Sequence, residues 1–146
     1  MKTGIFLALI VAITGQVLYH VTQKSVSSSA HPVISLLAFY LVAALLTLPL
    51  LWLFPVEGPL VEEAGKLNGA VYGVAASIVL IEIGFLLAYR AGAELSSAFV
   101  ITSAVVTVSM LVIGLLFFRE AISITKLIGI ALCLGGIGMI TWKTAP

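Results

Sequence analysis

Long apolar blocks separated by short polar segments set the pattern of this 146-residue chain. Crossing the hydrocarbon core of a bilayer takes about 20 apolar residues as helix. Backbone groups in lipid must bond within their own segment, so such a block is read as a helix. Residues 3–21 form the first predicted span, followed by the polar stretch 22–31. Pro32 suits the first position of the next helix, behind possible caps at Ser27, Ser28 and Ser29. The second span covers 33–54, with Pro49 expected to kink it and Pro55, Gly58 and Pro59 to end it. The longest polar segment, 56–67, carries Glu57, Glu62, Glu63 and Lys66. A third span at 68–89, a break at 90–94, a fourth span at 95–118, a break at 119–126 and a fifth span at 127–142 complete the pattern. Every loop is too short for a soluble domain, so residues 1–146 are expected to form a single transmembrane domain.

Composition points the same way. The chain is 62% hydrophobic and 9% charged, with mean hydropathy +1.26, whereas soluble domains carry about 25% charged residues. Tyr19, Trp52, Phe54, Tyr89, Phe117, Phe118 and Trp142 stand near span ends, as interfacial aromatic belts do. A net charge of +1 gives no case for nucleic acid. The single cysteine, Cys133, lies in an apolar run, and no Cys/His cluster has metal-ligand spacing. Lys2 ahead of an apolar stretch raises a signal peptide, but the stretch is long for one and no small-x-small cleavage site follows, so it is read as a retained helix. A multi-pass protein of the cell (inner or plasma) membrane is expected.

Positive charge barely orients the chain. Lys2, Lys66, Arg119 and Lys126 fall on one face, and Lys24, Arg90 and Lys143 on the other. Two readings stand: a fixed orientation with its N-terminus inside, or insertion both ways with antiparallel pairing. An odd number of spans makes the second attractive, because two inverted copies reproduce the inverted-repeat plan of larger transporters.

Candidate chemistry concentrates in few residues. Glu82 is the one acidic residue deep in a predicted span, about 12 Å from the Arg90 end at 1.5 Å per residue. A charge there costs roughly 2.5–3.5 kcal/mol even on the lenient insertion scale, so it should face protein or a water cavity. Such a site suits reversible protonation; the plain alternative is a neutral carboxyl bonding a neighbouring helix. On the first span Gln16, His20 and Gln23 form a polar stripe at i, i+4 and i+7, with Tyr19 beside them. Gln16 is a candidate substrate contact. His20 titrates near neutral pH and could relay protons, or it could simply reach headgroups. Tyr89 shares a face with Glu82, and an interfacial anchor explains it equally well. Ser103 and Thr107 on the fourth span are cavity candidates, with close helix packing as the ordinary role of such residues. Gly129/Cys133 and Ala131/Gly135, in small-xxx-small spacing, point to helix or dimer packing in the fifth span. Glu120 is expected to favour the positive end of that helix or pair with Arg119, and Arg90 and Glu94 to be solvated loop charges.

The later spans resemble an EamA-type domain, the repeat unit of the drug/metabolite transporter superfamily. The resemblance lies in Ala93-Glu94-Leu95-Ser96-Ser97-Ala98, Phe117-Phe118-Arg119-Glu120, Leu127-Ile128-Gly129-Ile130-Ala131-Leu132 and Gly135-Gly136-Ile137-Gly138. It implies an all-α integral membrane fold in which five helices form one repeat. Most members carry two inverted repeats, so a chain with one repeat is implied to assemble as a ten-helix dimer, either a homodimer (antiparallel pairing included) or a heterodimer with a similar short chain. The related small multidrug resistance proteins instead have four helices and an embedded glutamate in the first; here that residue is in the third.

With no nucleophile–base pair, phosphate loop or metal constellation, nothing argues for an enzyme, and no cofactor is expected. The leading expectation is a secondary transporter of small molecules, cationic or amine-bearing ones being favoured by a buried carboxylate. It would act as a dimer, with proton coupling through Glu82. A lipid-linked metabolite flippase and a non-transporting membrane subunit are the alternatives.

Overall fold

The computed structural model describes residues 2–119 and 123–142. Glu120 and Lys143 lie outside the described residues, as do the side chains of Lys2, Lys126 and Trp142, so the readings placed on them have no structural counterpart here. The described residues form helices and no strand: α1 (Lys2–Lys24), α2 (Pro32–Thr47), α3 (Leu50–Leu53), α4 (Leu60–Gly65), α5 (Ala70–Arg90), α6 (Leu95–Leu116) and α7 (Ile124–Trp142). The fold is therefore all-α. Four stretches among the described residues are long and apolar enough to cross a membrane: Thr3–Lys24, Pro32–Leu53, Ala70–Arg90 and Leu95–Leu116. A shorter apolar helix, Leu127–Met139, lies within α7. Ile5, Phe6, Leu41, Leu46, Leu80 and Leu132 stand open on the helix surfaces. Water would make such exposure costly, and lipid makes it neutral.

Local chemistry explains the helix limits. Pro32 opens α2, preceded by His31 as cap in extended conformation. The expected serine caps do not act there, because α2 has no side-chain cap bond and the Ser27 and Ser29 hydroxyls bond each other at 2.8 Å. Serine hydroxyls in a tight turn satisfy themselves locally before they can reach a helix four residues away. Pro49 separates α2 from α3, where the Leu48 amide turns back to the Leu45 carbonyl at 3.3 Å. Proline supplies no N–H to continue the ladder, so the break falls where its ring sits.

Within the polar 56–67 segment the chain forms the short helix α4. Pro59 precedes it, Glu62 and Glu63 occupy its first turn, and Lys66 pairs with Glu63 at its end. Asn68 Oδ1 accepts the Ala70 amide at 3.0 Å and starts α5. At the other end of α5, Gly92 adopts φ 96° and its amide returns to the Tyr89 carbonyl. A residue with a Cβ would be strained in that left-handed conformation.

The chain divides into two compact units, Met1–Gly92 and Ala93–Pro146. In the first, α5 packs against both α1 and α2. Its core is small: Leu36, Leu86 and Tyr89 are the buried apolar residues, with Leu86 1% exposed, and His20, Gln23 and Ser35 are the buried polar ones. In the second, α6 packs on α7, with Gly114 buried.

Candidate functional site

The polar core of the first unit arises from two helical stripes. On α5, Glu82, Phe85, Leu86 and Tyr89 fall at i, i+3, i+4 and i+7, a spacing that places them on one face. On α1, His20 and Gln23 are three residues apart and share a face. The two stripes meet. Gln23, 4% exposed, donates through Nε2 to the Glu82 backbone carbonyl at 3.0 Å and to its carboxyl Oε2 at 3.1 Å. The Tyr89 hydroxyl and His20 Nδ1 share a hydrogen bond of 2.9 Å. Gln23 belongs to the last turn of α1, so the half-buried carboxyl sits where the C-terminal end of α1 meets the middle of α5.

Aromatic rings wall this cluster. Phe85 stacks on Tyr89 at 5.8 Å between centroids, with the planes 27° apart. The His20 ring meets Phe85 edge-on at 4.6 Å and Tyr19 at 4.9 Å, both favourable aromatic geometries. Lys24 Nζ lies 5.9 Å from the Tyr89 ring centroid, within cation–π range. From α2, Tyr40 joins Tyr19 in electrostatic range of the Glu82 carboxyl. The Tyr19 hydroxyl is enclosed against the Glu82 carboxyl and pairs with it, and the enclosed Tyr40 hydroxyl makes no hydrogen bond among the described residues. Arg90 closes the loop end of the unit by donating through Nη2 to the Ser27 carbonyl at 3.1 Å, so it is tied to structure and is not a freely solvated charge.

The electrostatic character follows from these partners. The amide and the phenols facing Glu82 are neutral, and no ion pair reaches it among the described residues. A carboxyl in that setting either holds a proton or attracts a cation. No group of His, Cys, Asp and Glu among the described residues has metal-binding geometry.

Of the residues singled out from sequence, Glu82, His20 and Tyr89 come together in this cluster, joined by Gln23 and Tyr19 from the polar stripe. Gln16 lies two turns earlier on α1 and is exposed. Ser103 and Thr107 belong to the second unit. There the Thr107 hydroxyl donates to the Ser103 carbonyl at 2.7 Å, and Thr107 lines an open groove with Met110, Gly114 and Ile130. Gly129, Ala131, Cys133 and Gly135 are exposed on α7, and a Cβ built at Gly129 or Gly135 meets nothing within 4 Å. Tyr40 and Phe85 are the members that sequence reasoning missed. The available signal for Phe85 was its position one turn after Glu82, and for Tyr40 a hydroxyl set well inside an otherwise apolar span.

Comparison with known proteins adds one finding. The model of the EamA-like transporter family matches residues 2–142. No curated protein and no solved structure matches the chain significantly.

Proposed function

Since the chain belongs to the EamA-like transporter family, we propose that it is a proton-coupled secondary transporter of small molecules that works as a dimer, with Glu82 at the shared proton and substrate site. The family supplies the transporter class. The observation that carries the finer reading is the Glu82 carboxyl, inside a membrane-length helix, held by the Gln23 amide and faced by the phenols of Tyr19 and Tyr40. A proton and a cationic or amine-bearing substrate are alternative partners for such a group. Competition between them gives exchange: substrate binds as the proton leaves, and the reverse occurs on the opposite side of the membrane. Two copies of the repeat supply ten helices, and rocking of one half against the other provides alternating access in the manner of inverted-repeat transporters. The cell (inner or plasma) membrane is the corresponding location.

The test is proton-coupled current in liposomes reconstituted with the full chain, wild type against Glu82→Gln, over a panel of amines and metabolites. We expect a substrate-dependent current in the wild type and a loss of at least about tenfold in the variant, equivalent to 1.4 kcal/mol or more. Equal currents in folded wild type and variant would remove Glu82 from the mechanism. Antiparallel pairing is checked separately with cysteines introduced at each terminus in a Cys133→Ala background. Labelling of a given terminus from both sides of the membrane supports inverted copies, and labelling from one side ends that reading.

A further inference from the structure

We propose that His20, Tyr89 and Arg90 form a gate that seals Glu82 from the membrane face carrying the 25–31 turn, so that in this conformation the carboxyl is reached from the opposite face. This rests on the reading of Glu82 as a proton and substrate site and names the groups that control access to it. The observation is the one-sided burial of α1, α2 and α5. Residues 3–18, 41–54 and 70–81 are exposed throughout. The buried residues of these helices, His20, Gln23, Ser35, Leu36, Leu86 and Tyr89, all lie toward the end where α1 turns into α2 and α5 finishes. The three helices therefore converge at that face and part toward the other. Tyr19, Tyr40 and Glu82 are half-buried and stand at the boundary between the packed and the open stretches.

Polar links and rings close the packed end. The Tyr89 hydroxyl and His20 Nδ1 share their 2.9 Å bond between α5 and α1. One residue further on, Arg90 Nη2 reaches the Ser27 carbonyl at 3.1 Å and ties the end of α5 to the 25–31 turn. Phe85 fills the space beneath them, edge-on to His20 and stacked on Tyr89. This layer lies between Glu82 and the end of α5, on the path from that face to the carboxyl. Such links suit a gate better than a permanent seal. An interhelical hydrogen bond in a membrane protein biases an equilibrium by only about threefold on average. Two of them hold the end shut, yet both can break and re-form in a transport cycle. A second set of this kind is not needed at the opposite face, where the helices already stand apart.

The experiment is modification of Glu82 by a membrane-impermeant quaternary carbodiimide and glycine ethyl ester, added outside sealed vesicles holding the full chain in a Cys133→Ala background. Ser28→Cys marks the turn end and Glu57→Cys the opposite end. Biotinylation of either cysteine from outside, followed by capture, sorts molecules by the end they present, and mass spectrometry then reads modification at Glu82. We expect at least about tenfold less modification in molecules presenting the turn end. Tyr89→Phe should raise turn-end modification about threefold, and Tyr89→Phe/Arg90→Gln about tenfold, with the opposite end unchanged. The single variant carries the test should the double variant not elute as a folded species. Equal modification from both ends in the wild type overturns the gate, as does modification from neither end or no rise in the variants. An equal rise from both ends also overturns it, because that is the mark of a loosened fold. The labelling needs no substrate, so its failure leaves the transport comparison of wild type and Glu82→Gln standing. Undiminished transport by Glu82→Gln, with labelling still one-sided, ends the site reading instead.

Discussion

The two units of the chain handle polar side chains in opposite ways. In Ala93–Pro146 the hydroxyls of Thr102, Thr107 and Ser109 each donate to the carbonyl four residues earlier on α6, at 2.7–2.8 Å. In Met1–Gly92 the same habit appears at Thr14, Thr22, Ser25, Thr47 and Ser77. The first unit adds Gln23, His20, Glu82 and Tyr89, whose bonds run from one helix to another. Side-chain length makes the difference. A short hydroxyl is satisfied by its own helix and presents an almost apolar surface, whereas a glutamine, glutamate or tyrosine has to look beyond it. A polar residue in a membrane helix therefore marks a site only when its own helix cannot satisfy it.

That comparison can be broken by substitution. Gln23→Leu should have the largest effect, because it removes the donor to both the carbonyl and the carboxyl of Glu82. A loss of about 1–2 kcal/mol is expected in a reversible unfolding titration in mixed micelles. No loss would mean that the α1–α5 bond contributes nothing. Tyr89→Phe removes one bond, to His20, and keeps the ring packed on Phe85; about 0.6 kcal/mol in the same assay is the expectation, the average for interhelical bonds in a membrane protein. The smallest change should come from Thr107→Val. Its hydroxyl serves only its own helix, so stability should stay within about 0.5 kcal/mol and transport should be unchanged. A Thr107→Val variant as damaged as Gln23→Leu would erase the contrast between the units.

The architecture was readable because lipid imposes a coarse rule: blocks of apolar residues of the right length, punctuated by proline, glycine and charge. Pro32 and Pro49 act where the pattern put them. Helix α4 was also signalled, by Pro59 followed by two glutamates, but a polar loop does not invite a search for helix. The site was legible in part. Glu82 stands out as a lone acid in an apolar block, and the Gln16–His20–Gln23 stripe picked out the side of α1 that carries the interhelical bonds. It did not show how far down that side the contact extends: Gln23 and His20 are buried, while Gln16 is exposed. Tyr40 and Phe85 were hidden for a related reason. An aromatic residue in an apolar span looks the same whether it faces lipid or a neighbour, and only the rotation of the packed helix decides.

The double bond made by Gln23 has a consequence for the cost of switching. Its amide nitrogen bonds both the main-chain carbonyl of Glu82, which does not titrate, and the carboxyl, which does. When the carboxyl changes partner, the first bond keeps the glutamine rotamer in place. Freezing a free glutamine side chain costs up to about 1.5–2 kcal/mol of conformational entropy. Here that cost belongs to folding, so in the proposed exchange each cycle at Glu82 begins from a donor already aimed.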